Sequence, residues 1–412
     1  MDRQPEMDRQ GAPVDVKRRH IILDALRGIA LLGICLANFP EFSLYTFLSE
    51  SDASALPTAG ADGVVQFLLY MLVDGKFYTI FSLLFGIGFC IILDNNKQRG
   101  ADCIRIFYRR MAVLVLIGLA HLMLVWSGDI LMLYALVGML LPLFIRLSDR
   151  RLITWAAIFL FLPVVVDFAC ELANVNLSKH LYEWQWLLCD RFGITEENFA
   201  YWLRDAHSYQ NMLEFLCMGA VERMQEFVDG NRYFKVLGLF LIGVYIGRHK
   251  LYARLSEFSS ALKKICLAGL GIGLPLSAVY AWSAVSHKPW GLGCHSLLYF
   301  ASVYLTSFGY IALVCMMYQR NAQMPFWRLM SYPGRMALTN YIGQSFAGVI
   351  IFYGIGFGLG ATTGLIYADL IASGVFAIEI AASALWLSKF RYGPLEALWR
   401  TLTYGHRVKM RY

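Results

Sequence analysis

Residues 23–39 read LDALRGIALLGICLANF. This run lies in an apolar stretch long enough to cross a bilayer as a helix, yet it carries Asp24, Arg27 and Asn38. At about 100° per residue these three side chains fall within roughly one third of the helix circumference. At about 1.5 Å rise per residue the stripe runs about 21 Å along the axis. A charge at mid-membrane costs about 2.5–3.5 kcal/mol on insertion scales. Such residues normally face a partner or a watery cavity, and they mark function by default. The stripe therefore predicts a polar path through a helical bundle. A plainer reading is that Asp24 and Arg27 pair at i,i+3 near the membrane boundary and only anchor the helix.

The rest of the chain agrees with a membrane setting. Of 412 residues, 58% are hydrophobic and only 16% are charged, and the mean hydropathy is +0.53. Few soluble folds could hide that much apolar surface, so the fold class is all-α, a polytopic membrane helical bundle. No cleavable signal peptide is expected, because the first residues are polar and no small-residue cleavage site follows the first apolar run. The net charge of +7 reads as a topological signature, with its bases in short loops, and not as a nucleic-acid surface. Nine cysteines are scattered, mostly in apolar runs, with no CxxC or Cys/His spacing. Neither a zinc site nor a disulfide framework is indicated, although Cys189, Cys217 and Cys294 could share one aqueous face and leave a bridge between two of them open.

About ten membrane helices are expected, near 22–40, 76–94, 108–126, 129–146, 152–173, 233–248, 260–282, 295–318, 335–356 and 364–388. With that count every basic segment falls on one side, from Lys17, Arg18 and Arg19 to Arg407, Lys409 and Arg411. The positive-inside rule then puts both termini in the cytoplasm. The organisation that follows is a polar N-terminal tail at 1–21, a bundle at 22–388 and a basic tail at 389–412. An acidic loop at 41–62 and a long loop at about 174–232 face the other side. The long loop mixes charges with Trp184, Trp186, Tyr201, Trp202 and Tyr209, the pattern of amphipathic helices lying on or capping the bundle. LFGIGF (84–89) and FLIGVYIG (240–247) look alike and hint at an internal duplication.

A second polar cluster lies in GLAHLMLVWSGDILMLYALVGM (118–139). It reads as a helical hairpin turning at Ser127-Gly128. His121 would sit roughly 7–8 Å into the apolar layer, and Asp129 would open the next helix, where its dipole favours a carboxylate. A histidine facing a cavity beside a carboxylate is the arrangement general base catalysis needs. A buried neutral imidazole and a helix-start aspartate are the structural alternatives. Lys76 starts the second helix and reads either as a path residue or as an interfacial lysine snorkelling to water. Arg335, Thr339, Asn340 and Gln344 share one helix in YPGRMALTNYIGQS (332–345). Asn340 and Gln344 lie one turn apart and line a path or glue helices together. GIGFGLG (354–360) lacks the order of a phosphate loop. No metal site is expected.

LDALRGIALLGICLANF, DGKFYTIFSLLFGIGF, GLAHLMLVWSGDILMLYALVG, GRMALTNYIGQS and FRYGPLEALWRTLTYG together resemble the bacterial YeiB-type membrane proteins of unknown function, in order and over nearly the whole chain. The last motif departs at Ala397, where an aromatic is expected. The opening pattern of Asp24, Arg27, Gly28, Ala30 and Asn38 is also similar to the first membrane helix of heparan-alpha-glucosaminide N-acetyltransferase. It is similar as well to bacterial membrane acyltransferases that decorate surface polysaccharides. That resemblance implies transfer of an acyl group from cytoplasmic acyl-CoA to an acceptor on the other face. The heparan enzyme has a histidine in the loop after its first membrane helix, whereas 40–66 here contains none, which leaves His121 the best-placed base.

The resulting expectation is an acyltransferase of a bacterial inner membrane. Arg105, Arg109 and Arg110 would meet the phosphates of an acyl-CoA donor, unless they serve membrane topology alone. Arg27 and Asn38, with Asp24, Lys76, Arg335, Asn340 and Gln344 along the path, would polarise the thioester carbonyl. His121, oriented by Asp129, would deprotonate a hydroxyl or amine acceptor. Expected partners are membrane lipid and a small-molecule, glycan or lipid acceptor, with no nucleic acid and no bound cofactor. A homodimer is compatible with the sequence. The competing class is a secondary transporter, in which the same buried charges bind a solute.

Overall fold

The computed structural model describes residues 20–412. The tail expected at 1–21, with Lys17, Arg18 and Arg19, therefore lies almost wholly outside the described residues. The described chain is helical, with one isolated bridge between Phe390 and Arg411. It begins with α1 (Ile21–Phe42), α2 (Glu50–Ala55), α3 (Ala59–Leu72), α4 (Lys76–Gln98), α5 (Cys103–Leu124) and α6 (Leu131–Gly138). Then come α7 (Asp149–Ala173), α8 (Lys179–Phe192), α9 (Trp202–Asp205), α10 (Tyr209–Asp229) and α11 (Arg232–Arg248). The last part holds α12 (Ser259–Gly271), α13 (Gly273–Val285), α14 (Gly291–Arg320), α15 (Pro325–Arg335), α16 (Ala337–Phe352), α17 (Leu365–Lys389) and α18 (Pro394–Tyr404).

Six stretches among the described residues are long and apolar enough to cross a bilayer: Ile21–Phe42, Ala59–Gln98, Asp149–Ala173, Leu255–Val285, Gly291–Arg320 and Leu365–Lys389. Leu131–Phe144 and Ala337–Phe352 are shorter apolar helices. With α5 and α11 these elements fill the ten expected places. The protein is a polytopic membrane helical bundle.

The two ends of the bundle differ. At one, the basic end, His20 packs on Tyr252 with ring centroids 4.9 Å apart. There Arg248 pairs with Asp149 at 2.7 Å, and the Arg335 guanidinium donates to the Tyr412 hydroxyl at 3.1 Å. Residues 20 and 412 thus lie at the same end. At the other, Asp62 accepts the Ile366 N–H at the head of α17 at 3.0 Å. The expected amphipathic helices are α8, α9 and α10, and they cap this end. Tyr209 donates to the Leu124 carbonyl at 2.6 Å, and the Gly354 N–H donates to Leu203 at 2.9 Å.

Three segments differ from the reading of the sequence. Residues 59–72, unassigned or placed in the acidic loop, form α3, which packs on α13. The chain breaks between α3 and α4 at Val73-Asp74-Gly75, where Gly75 takes φ +73°, a left-handed conformation natural to glycine. Inside a bilayer the freed carbonyls need donors. Lys76 Nζ reaches Tyr70 O at 2.7 Å, Ser277 Oγ reaches Met71 O at 2.8 Å, and the Tyr310 hydroxyl reaches Leu72 O at 3.2 Å. Lys76 is 0% exposed, so it is not an interfacial snorkelling lysine; it closes a broken helix. Pro142 ends α6 early, in a 3-10 turn at Leu141–Phe144. The helix expected at 335–356 is α16, shorter at both ends, and Arg335 belongs instead to α15, parted from it at Met336.

Candidate functional site

A cavity of about 1430 Å³ runs through the bundle, and Asp24, Arg27 and Asn38 all line it. The polar stripe of α1 therefore faces this cavity. Its anchoring alternative is also present, since Arg27 Nη1 pairs with Asp24 Oδ1 at 2.8 Å. At the basic end Arg110, Arg335 and Arg400 join Arg27 in the wall. Arg110 stacks its guanidinium 3.5 Å over the Trp399 ring, which holds it flat and leaves its edge for a ligand. Arg335 Nε is buried without a partner among the described residues. Of the expected phosphate contacts only Arg110 faces the cavity. Arg105 and Arg109 are exposed and do not line it.

The carboxylates at this end are already engaged. Asp24 pairs with Arg27, and Glu396 caps α16. The latter accepts the Leu338 N–H at 2.7 Å, the Thr339 N–H at 3.1 Å and the Thr339 hydroxyl at 2.6 Å. Four guanidinium groups therefore dominate this end of the cavity.

Toward the capped end, Glu41, Glu222, Arg223 and Glu226 line the same space. Arg223 donates to Glu41 at 3.0 Å and to the Ser127 carbonyl at 2.9 Å, and it pairs with Glu226. Burial opposes its charge, but Glu41 and Glu226 hold its pKa above the ordinary arginine value. Glu222 is pushed up to about 8 by burial, with Glu226 and Glu41 adding repulsion. In a side lobe, Asp74 accepts the Tyr280 hydroxyl at 2.6 Å. Lys235 Nζ lies 4.0 Å over the Tyr299 ring, and Asp167 binds Asn231 Nδ2 at 2.8 Å and the Ser296 hydroxyl.

His121 and Asp129 meet as the hairpin predicts. His121 Nδ1 lies 2.9 Å from Asp129 Oδ1, and Asp129 Oδ2 accepts the Met132 N–H at 2.8 Å, the helix-start role of a carboxylate. What the sequence did not show is Ser345. Its Oγ lies 2.9 Å from His121 Nε2, from a helix 224 residues further on. His121, Asp129 and Ser345 are 2%, 1% and 1% exposed and sit one layer behind the cavity wall. That layer is the rings of Trp126 and Tyr341, which line the cavity with centroids 6.1 and 5.4 Å from the His121 ring.

Asn340 and Gln344 stay out of the cavity and act as helix glue. Asn340 Nδ2 donates to Ser383 at 2.9 Å, and Gln344 Nε2 donates to Glu379 at 2.8 Å, both on α17. All nine cysteines are free thiols, so no bridge joins Cys189, Cys217 or Cys294. No group of three or more metal-ligating side chains occurs among the described residues.

Comparison with known proteins places this architecture. Residues 246–406 match a family described as a protein of unknown function, DUF418, a stretch that holds Arg335, Ser345, Glu396 and Arg400. The chain is 28% identical to the uncharacterized protein YxaH of Bacillus subtilis over 95% of this chain and 96% of that one. It is also 28% identical to the uncharacterized protein YeiB of Escherichia coli over 93% of this chain and 96% of that one. Over nearly its whole length the chain is therefore similar to YeiB-type membrane proteins. A third relative, an uncharacterized 39.9 kDa protein in the amylase 3' region of Bacillus acidopullulyticus, is 27% identical over 96% of both chains. The YeiB-type likeness covers both halves of the cavity, His121 and Asp129 included.

Proposed function

We propose that this protein is an acyltransferase of a bacterial cytoplasmic membrane. It takes an acyl group from acyl-CoA at its basic, cytoplasmic end and delivers it to a hydroxyl or amine acceptor at the capped end. The observation that carries this reading is the polarity of the cavity. Arg27, Arg110, Arg335 and Arg400 line one end, where guanidinium forks suit the phosphates of CoA. The His121–Asp129 pair, at 2.9 Å, stands behind the wall toward the other end. Asp129 fixes the ring orientation, as a general base requires. Arg27 at the donor end and Asn38 further along α1, both lining the cavity, would meet the thioester carbonyl on its route.

The test is calorimetric titration of detergent-purified protein with acetyl-CoA and longer acyl-CoAs. Saturable micromolar binding is expected. Arg110→Gln removes charge-assisted hydrogen bonds of about 1.5–3 kcal/mol, so affinity should fall by about tenfold or more. A transporter is the second reading, favoured by one observation, the break at Val73-Asp74-Gly75 in the long stretch 59–98. Broken membrane helices build solute sites in many transporters. No binding of any CoA species to folded protein, together with uptake of an unmodified solute into proteoliposomes, would replace the first reading with the second.

A further inference from the structure

His121 has both ring nitrogens engaged, and this constrains what it can deprotonate. Asp129 Oδ1 faces Nδ1 at 2.9 Å, so an ionised carboxylate and a neutral ring place the ring proton on Nδ1. Nε2 is then an acceptor, and Ser345 Oγ at 2.9 Å is the group that donates to it. The base is thus already directed at a hydroxyl of its own protein. A serine in a membrane helix ordinarily needs no such partner, because it can donate to the carbonyl four residues back. Ser345 has that option, with Tyr341 O at 3.3 Å, yet the shorter contact is to the imidazole. Nucleophile, base and orienting carboxylate within hydrogen-bond reach of one another are the signature of an activated nucleophile.

We propose that Ser345 carries the acyl group as a covalent ester between donor and acceptor, a step that rests on the acyl-transfer reading. In the first half, the Ser345 proton passes to His121 Nε2 as the Oγ–carbon bond forms at the thioester carbonyl. The carbon–sulfur bond breaks, and the CoA thiolate takes that proton and leaves as the thiol. In the second half, the acceptor hydroxyl or amine gives its proton to His121 and attacks the ester carbonyl. The Oγ–carbon bond breaks, and Ser345 regains its proton. The acyl chain reaches the serine by displacing the Tyr341 ring, which stands between His121 and the cavity. Transfer through a protein-bound ester also explains how one cavity can serve a donor and an acceptor that enter from opposite ends.

The experiment has two arms, read by mass spectrometry of the full-length protein and its peptides. In the first, diisopropyl fluorophosphate, far smaller than the cavity, is the probe. Phosphorylation of Ser345 by the diisopropylphosphoryl group, with loss of fluoride, is expected in the wild type, at least tenfold slower in His121→Ala and absent in Ser345→Ala. No label on Ser345 in protein with a normal melting transition overturns the proposal. In the second, acetyl-CoA is added without acceptor. One acetyl group on Ser345 is expected, and Ser345→Cys should trap it as a thioester sensitive to hydroxylamine. Diisopropylphosphoryl labelling of Ser345 without any consumption of acyl-CoA would keep the activated serine and sink the acyl-CoA reading. Acyl transfer that continues undiminished in Ser345→Ala would keep that reading and overturn the ester.

Discussion

Glu396 shows how much one side chain can organise here. It enters from the C-terminal segment and satisfies two N–H groups and a hydroxyl at the start of α16, the helix that carries Asn340, Gln344 and Ser345. The sequence displayed GRMALTN and GPLEALW as separate motifs; the structure makes them one capped joint. Losing a helix cap costs about 0.5–2 kcal/mol, so Glu396→Ala should lower the melting temperature in detergent measurably, while Glu396→Gln, which keeps one acceptor, should recover part of the loss. Glu222 supplies a pH signature. Its pKa rises from 4.5 to about 8 on folding, so folding takes up a proton between those values. That contribution is complete below pH 4.5 and is lost as pH rises through about 8. The melting temperature should therefore fall across this range, and the slope should shrink in Glu222→Gln. An unchanged slope in that variant would show that another group sets the pH dependence. At this scale the sequence exposed His121 and Asp129 because the partners sit eight residues apart on one hairpin. It concealed Ser345, whose partner only the tertiary fold supplies.

Glycine placement explains why certain elements meet. A Cβ on Gly86 would collide with the Phe240 carbonyl, and one on Gly243 with the Leu83 carbonyl, so α4 and α11 touch backbone to backbone. LFGIGF and FLIGVYIG resemble each other in sequence, and in the structure they are the two sides of this contact. A close crossing in a membrane asks both helices for small residues, which accounts for the likeness without a duplication. The same device joins α1 to α15, where Gly28 faces the Met330 carbonyl and Gly334 faces that of Asp24. The glycines in LDALRG and YPGR thus hold the arginine-lined end of the cavity together. Overpacking of a well-packed contact typically costs about 1–3 kcal/mol. Gly86→Leu and Gly243→Leu should each reduce the yield of monodisperse protein and lower its melting temperature. Gly60→Leu, where a Cβ meets nothing within 4 Å, is the control expected to behave as wild type. The apolar periodicity revealed most crossings because length and hydropathy define them. It could not reveal the α3–α4 break, since Lys76 and Ser277 replace the missing backbone donors only after the bundle has assembled.

For the whole molecule the decisive question is which end faces the cytoplasm. The basic loops gather at the end that holds Arg27, Arg110, Arg335 and Arg400, and short basic loops remain on the cytoplasmic side of bacterial membranes. An acyl-CoA donor is also confined to the cytoplasm, so the donor reading and the charge asymmetry demand the same orientation. Single cysteines can test this with a membrane-impermeant maleimide, in a background where Cys217 and Cys294 are serine. Lys409, exposed at the basic end, and Glu197, exposed on the capping layer, are the sites to use. In intact cells Glu197→Cys should label and Lys409→Cys should not, and permeabilised cells should label both. The reverse pattern would put the arginine end outside, out of reach of CoA, and would remove the donor site whatever the geometry of the serine. The expected pattern would leave the Trp126–Tyr341 wall as the barrier between a cytoplasmic donor and the buried His121. Tyr341→Ala should then raise the rate at which acyl-CoA is hydrolysed to free acid, because the enlarged opening admits water to the same serine.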